Sequence, residues 1–132
     1  MKLDEGLDTG DICKKIVIEI EETDNNESLS LKLSKLGAEL MTQVISELKD
    51  GNLNFTSQEV RNITYAKKVD KSETKLDFHC TASDINNKIR GLSPYPGAWF
   101  KYTDESDNFR ARIIQAEILE RRGEPGEIID ND

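Results

Sequence analysis

The sequence predicts an α+β chain in which helix and strand occupy separate stretches, and three patterns carry that expectation. Apolar residues recur every three or four positions from Leu29 to Leu48, and they alternate from Lys14 to Glu22. A stretch from Arg90 to Trp99, with two prolines around Tyr95, closes a second helical pattern just before an aromatic run. The first pattern is one face of a helix and the second a half-buried strand. Proline lacks the donor N–H and clashes with the preceding turn, so Pro94 and Pro96 end whatever helix precedes them.

Met1 to Asp4 reads as the end of a strand, and Glu5-Gly6-Leu7-Asp8-Thr9-Gly10-Asp11 as the turn that follows. Between Lys14 and Glu22, Ile16, Ile18 and Ile20 share one face, with Lys15, Glu19 and Glu21 mostly opposite. Leu29, Leu33, Leu36, Leu40, Val44 and Leu48, widened by Met41 and Ile45, predict an amphipathic helix of about five turns. Asn26 or Ser28 offers the capping oxygen and Asp50-Gly51 the stop. Gly37 costs about 1 kcal/mol against alanine in mid-helix, which predicts a neighbouring backbone close to it.

Asn52 to Lys75 has no sustained period, only a short apolar patch at Val60, Ile63 and Tyr65, and reads as a surface linker. Ala82, Ile85, Ile89 and Leu92 restore helical spacing, with Thr81 or Ser83 as cap and Asp84 in the first turn. This helix ends near Arg90. Ala98 to Tyr102 and Phe109 to Leu119 read as a hairpin around Thr103–Asn108. Ile128-Ile129 begins a further strand, which would leave an open sheet edge.

The 132 residues suffice for one ordinary domain or two partial ones, but 36% hydrophobic against 33% charged leaves either a modest core or one whose cover is absent. A net charge of −8 excludes a general nucleic-acid coating protein and leaves local basic patches open. Cys13 and Cys80 make neither a disulfide framework nor a Cys-x-x-Cys zinc pattern, which suggests a reducing compartment. No run approaches the roughly 18 apolar residues of a membrane span and no leader opens the chain, so the expected location is cytoplasmic, without a membrane partner.

Among candidate sites, His79 is the one histidine and has no triad partner in the sequence, so it reads as a surface or capping residue. Asp4, Asp8 and Asp11 fit a turn at least as well as a ligand set. From Arg61 to Arg90 there are seven basic residues against four acidic ones, opposite to the trend of the chain. A solvated lysine face is one reading of this run; phosphate contact is the other. Arg110 and Arg112 share one strand face and would extend such a track. Tyr95, Trp99 and Phe100 read as core rather than as base-stacking aromatics.

Several of these stretches form one collinear series: Met1–Asp11; Leu36-Gly37-Ala38-Glu39 within Leu33–Leu40; Tyr65-Ala66-Lys67-Lys68 followed by Lys71, Glu73 and Leu76-Asp77-Phe78; Arg90–Ala98; and Gly123-Glu124-Pro125-Gly126. The series resembles the methionyl-tRNA formyltransferase family, with Tyr95 where the family usually has tryptophan between the two prolines. The resemblance implies the tail of a Rossmann-like formyltransferase domain over 1–51, a linker over 52–75, and the N-terminal part of an incomplete OB-like β-barrel over 76–132. It implies transfer of a formyl group from 10-formyltetrahydrofolate to the amino group of initiator methionyl-tRNA. The family's asparagine, histidine and aspartate would lie upstream of Met1.

The chain is accordingly expected to be a fragment, inactive alone and binding no cofactor itself, with 10-formyltetrahydrofolate a substrate of the complete enzyme. Its expected partners are initiator tRNA, in the complete enzyme, and a complementary catalytic fragment. The implied tRNA path selects Lys67, Lys68 and Lys71 as contacts, with Arg110 and Arg112 continuing it and Arg90 the one nominee from the proline stretch. Two alternatives stay open: a fragment of a sugar-nucleotide formyltransferase, or a non-enzymatic RNA-binding or interaction module. A stripe from Leu29 to Leu48 with no sheet expected over it predicts association or poor solubility.

Overall fold

The computed structural model describes residues 1–59, 61 and 63–129. Val60 of the linker patch lies outside the described residues. Among the described residues, two helices and a two-stranded antiparallel sheet follow one another as α1 (Asn26–Lys49), α2 (Ala82–Leu92), β1 (Ala98–Thr103) and β2 (Asn108–Ile113). The chain divides into two compact units, Met1–Glu21 with Ser30–Lys67, and Glu22–Leu29 with Lys68–Asp132.

In the first unit, the alternating run from Lys14 to Glu22 is not a strand. Nearby lies an isolated antiparallel bridge, with Ile12 N donating to Thr56 O at 2.8 Å and Thr56 N to Ile12 O at 2.9 Å. A strand exists only where a partner receives its hydrogen bonds, and among the described residues none does here: Val17 is 85% exposed and Ile20 64%. Met1–Asp4 is likewise no strand; Lys2 N donates to Asp11 O across the turn.

The start of α1 is a reciprocal cap one residue earlier than expected. Asn25 Oδ1 accepts from Ser28 N at 2.9 Å, and Ser28 Oγ accepts from Asn25 N at 3.0 Å, so Asn25 is the cap and Ser28 closes the box. At the other end Gly51 takes φ +70°, its N–H reaches Leu48 O, and Asn52 N reaches Glu47 O. Those two bonds satisfy the last carbonyls in a Schellman motif. The apolar stripe forms as expected but nothing buries it: no α1 residue is buried, and Leu48 is 62% exposed. Gly37 does not mark a close approach, because a Cβ there would meet nothing within 4 Å.

The second unit holds the core. Thr81 caps α2, accepting from Asp84 N and donating to Asp84 Oδ2. Ile89 and Leu92 of α2 are buried with Leu76 and Ala98, and Phe78, Ile85, Phe100 and Ile113 pack around them. After α2 the chain turns through cis Ser93–Pro94 and cis Tyr95–Pro96, and Gly97 N donates back to Leu92 O. Tyr95 is not core: it is 77% exposed, since the turn faces it outward. β1 then pairs with β2, Trp99 opposite Arg112 and Lys101 opposite Arg110. β2 ends at Ile113, short of the expected Leu119, because Pro96 has no N–H and that of Gly97 is taken, so the ladder has nothing to extend along. Ile128 and Ile129 carry no strand.

Candidate nucleic-acid interface

Side chains alternate along a strand, so the register of the hairpin sorts its residues into two faces. Ala98, Phe100 and Tyr102 lie opposite Ile113, Ala111 and Phe109. This is the apolar face, with Phe78 edge-on to Phe100 at 5.6 Å and the Tyr102 and Phe109 rings 5.0 Å apart. The other face presents Trp99, Lys101 and Thr103 opposite Arg112, Arg110 and Asn108. A third segment joins it: Trp99 N donates to Thr74 O and Leu76 N to Trp99 O, a parallel bridge that pairs Lys75 with Trp99. The positions of this face therefore hold Lys75, Lys101, Arg110 and Arg112 and no carboxylate, in a chain of net charge −8.

Trp99 is the centre of the arrangement. Its indole Nε1 donates to Thr74 Oγ1 at 3.0 Å, and the buried Thr74 hydroxyl donates in turn to Lys71 O at 2.7 Å. The relay fixes the ring and fastens the lysine-bearing turn to β1. The Arg110 guanidinium stacks over the indole with its Cζ 3.9 Å from the ring centroid, and Lys75 Nζ lies 5.9 Å from the same centroid. Stacked cations of this kind are worth about 0.5–1 kcal/mol at an exposed site. Arg112 is differently employed, its Nη2 donating to Pro94 O beside the Gly97 turn.

Lys67, at the end of the first unit, and Lys68 and Lys71, in the second, are all exposed. Asp70, beside Lys71, has its carboxyl lowered from the usual value by the Ser72 hydroxyl and N–H, which shapes the turn. Arg90 faces into its own unit: Nε donates to Asn87 Oδ1, and Nη1 to the carbonyls of Glu22 and Asp24 at 3.1 and 3.2 Å. It braces the peptide that leads into α1. The hairpin tip is acidic, and hydrogen bonds from Tyr102 Oη, then from the N–H groups of Asp107 and Ser106, hold the Asp104 carboxyl down to about 2.

His79 is exposed, and its backbone N–H, not its ring, is tied to Asp77. Asp11 accepts from Ser57 Oγ and lies 3.9 Å from Lys2 Nζ, a turn arrangement. Among the described residues no group of three or more His, Cys, Asp or Glu side chains is placed to hold a metal, and no helix is long and apolar enough to cross a membrane. Sequence reasoning counted Lys75 within the basic run from Arg61 to Arg90 without singling it out, and did not consider Lys101. Lys101 was open to discovery, because it shares parity with Trp99 in the strand; Lys75 was not, because its bridge to Trp99 leaves no local signal.

Residues 68–132 match the family described as "Formyl transferase, C-terminal domain". Over nearly its whole length the chain is similar to proteins named methionyl-tRNA formyltransferase. It is 39% identical over 130 residues to one from Sinorhizobium medicae (strain WSM419), covering 98% of this chain and 42% of that protein. It is 40% identical over 131 residues to one from Rhodopseudomonas palustris (strain TIE-1), covering 99% and 42%. A third, from Rhizobium meliloti (strain 1021), is 37% identical over 131 residues at the same coverage. The chain spans about 42% of the length of these curated relatives.

Proposed function

We propose, from the premise that this chain belongs to the methionyl-tRNA formyltransferase family, that it is the part of such an enzyme that holds the tRNA rather than the part that transfers the formyl group. The observation that carries this is the carboxylate-free cationic face of the hairpin in an otherwise acidic chain. Phosphate contacts from lysine and arginine set affinity and register without reading sequence, and such a face supplies them. Lys67, Lys68 and Lys71 are the linker contacts; Arg90 serves as a brace. In the complete enzyme the acceptor would be initiator methionyl-tRNA and the donor 10-formyltetrahydrofolate, bound by residues outside this chain, in the cytoplasm, at translation initiation.

On this reading residues 1–51 close a Rossmann-like domain and residues 76–132 begin an OB-like barrel. Formyl transfer needs a base for the amine proton and donors for the tetrahedral oxyanion. Among the described residues the exposed His79 is tied through its backbone N–H to Asp77, which gives its ring no partner to orient it for either role. The test has two arms. Purified chain with methionyl-tRNA and 10-formyltetrahydrofolate is expected to give no formylation above background, and turnover would refute the division of labour. In direct titrations, initiator tRNA is expected to bind and an amino-sugar nucleotide not to; the reverse preference would move the chain to the sugar-nucleotide formyltransferases.

A further inference from the structure

We propose that Lys75, Lys101 and Arg110 form a phosphate-binding face for an RNA backbone, that Trp99 is the positioning residue holding Arg110 open to it, and that Arg112 on the same face serves the turn instead. The proposal rests on the tRNA-holding reading and assigns it to particular side chains.

Four observations carry it. Lys101 stands directly opposite Arg110 in the antiparallel ladder. Like charges in that position lie with their Cβ atoms about 4.5–5.5 Å apart and destabilise a sheet. No carboxylate relieves the pair, for Lys75, Lys101 and Arg110 form no ion pair among the described residues. The fold thus carries a repulsion that an anionic ligand would remove.

Second, Arg110 is prepared for such a ligand. A guanidinium stacked on an indole keeps its N–H donors in its plane and directed away from the ring, in the fork that matches phosphate oxygens. Arg110 is exposed and makes no hydrogen bond among the described residues, so those donors are open to a ligand. Third, the platform is rigid, since Trp99 is fixed at its backbone by Thr74 O and Leu76 N and at its ring by Thr74 Oγ1. Fourth, Arg112 lies on the same face but is committed to Pro94 O, against the Cα of Gly97, where the Cβ of any other residue would meet Arg112 Nε. The acidic tip at Asp104, Glu105 and Asp107 repels a phosphate chain, which directs the RNA across the base of the hairpin and not along it.

The chain has one tryptophan, so its fluorescence reports this site alone. Transcribed initiator tRNA is titrated into the full chain over a salt series, following both Trp99 emission and the anisotropy of labelled tRNA. The parent is expected to bind with a change in Trp99 emission. R110Q and K101Q are each expected to lower affinity about three- to tenfold at low salt and to flatten the log–log salt slope by roughly 0.7–0.9. R110K keeps the slope but loses affinity, because an ammonium cannot stack as a planar fork. W99L behaves like R110Q in affinity and W99F rescues most of the loss, although neither changes the charge. R112Q leaves the slope unchanged and lowers the unfolding midpoint.

If R110Q and K101Q match the parent while K68Q and K71Q flatten the slope, the hairpin assignment falls and the tRNA-holding reading survives. If the parent shows no salt-dependent binding of tRNA, both fall. Binding without a change in Trp99 emission, or an R112Q slope change as large as that of R110Q, would also overturn the assignment.

Discussion

Replacing Ile89 with alanine probes the small core that positions the hairpin, and its cost can be worked from the structure. Ile89 is 2% exposed and is packed with Leu76, Leu92 and Ala98. The substitution deletes three carbons, worth about 2.4 kcal/mol at about 0.8 kcal/mol per buried group. Incomplete collapse around the void adds to this, giving about 2–5 kcal/mol in all. Domain stabilities are themselves about 5–15 kcal/mol, so the loss is a large share. Urea unfolding followed by Trp99 emission reads it directly, because Trp99 O accepts from Leu76 N at 2.8 Å. Ile89→Val should cost about 0.5–1.5 kcal/mol. The control is Leu33→Ala, at a like-spaced position of α1 but 50% exposed, expected to change α1 stability by within about 0.5 kcal/mol when followed by circular dichroism. An Ile89→Ala cost below about 1 kcal/mol would refute the assignment of the core, since even partial loss of the transfer contribution exceeds it.

Three other outcomes follow from local geometry. The Asp104 carboxyl, held near 2 first by the Tyr102 hydroxyl, favours the folded hairpin above its ordinary value of 3.8, and this contribution is lost as pH falls through about 2. Tyr102 is the mirror case: raised above 10.0 by the same bond, it contributes below pH 10.0 and loses the contribution as pH rises through its higher folded value. Amide exchange of residues 104–107 across both windows checks this, and Asp104→Asn should abolish the acid limb. Asn25→Ala removes the cap of α1 and should cost about 1 kcal/mol of helix stability, seen as a loss of ellipticity at fixed temperature. Gly97→Ala should cost about 1–2 kcal/mol for its positive φ and more because the new Cβ meets Arg112 Nε, an excess that Arg112→Ala should relieve in a double-mutant cycle.

What was legible in the sequence is what the chain settles locally. The stop of α1 at Asp50-Gly51 and the cap of α2 at Thr81 are fixed by residues within a few positions of one another. The turn of the hairpin and the shared face of Arg110 and Arg112 follow from short spacing and strand parity. Failures occur where a distant partner decides. Ile16, Ile18 and Ile20 alternate like a strand, yet alternation supplies no ladder. Gly37 promised a close neighbour from propensity alone, and the helix face around it is open. Lys75 reaches Trp99 through a parallel bridge across 24 positions, which no local pattern encodes. Even where the face was right, its division was not visible, because only the packing shows that Arg110 stacks and Arg112 bonds the turn.

That division allows stability and binding to be separated by strand parity. Ala98 and Phe100 look into the core while Trp99 and Lys101 look away from it, so a substitution at Lys101 leaves the buried cluster untouched. A lysine retained for structure would lower stability when neutralised. Lys101 faces Arg110 with no carboxylate between them, and relief of like charges across a strand pair is worth about 0.2–1 kcal/mol. Lys101→Gln is therefore expected to raise the urea midpoint slightly while weakening tRNA binding, with the gain shrinking as salt screens the pair. Opposite signs in the two assays are the mark of a charge kept for a ligand. A variant that loses both stability and affinity would show instead that Lys101 supports the hairpin, and would leave Arg110 alone on its Trp99 platform.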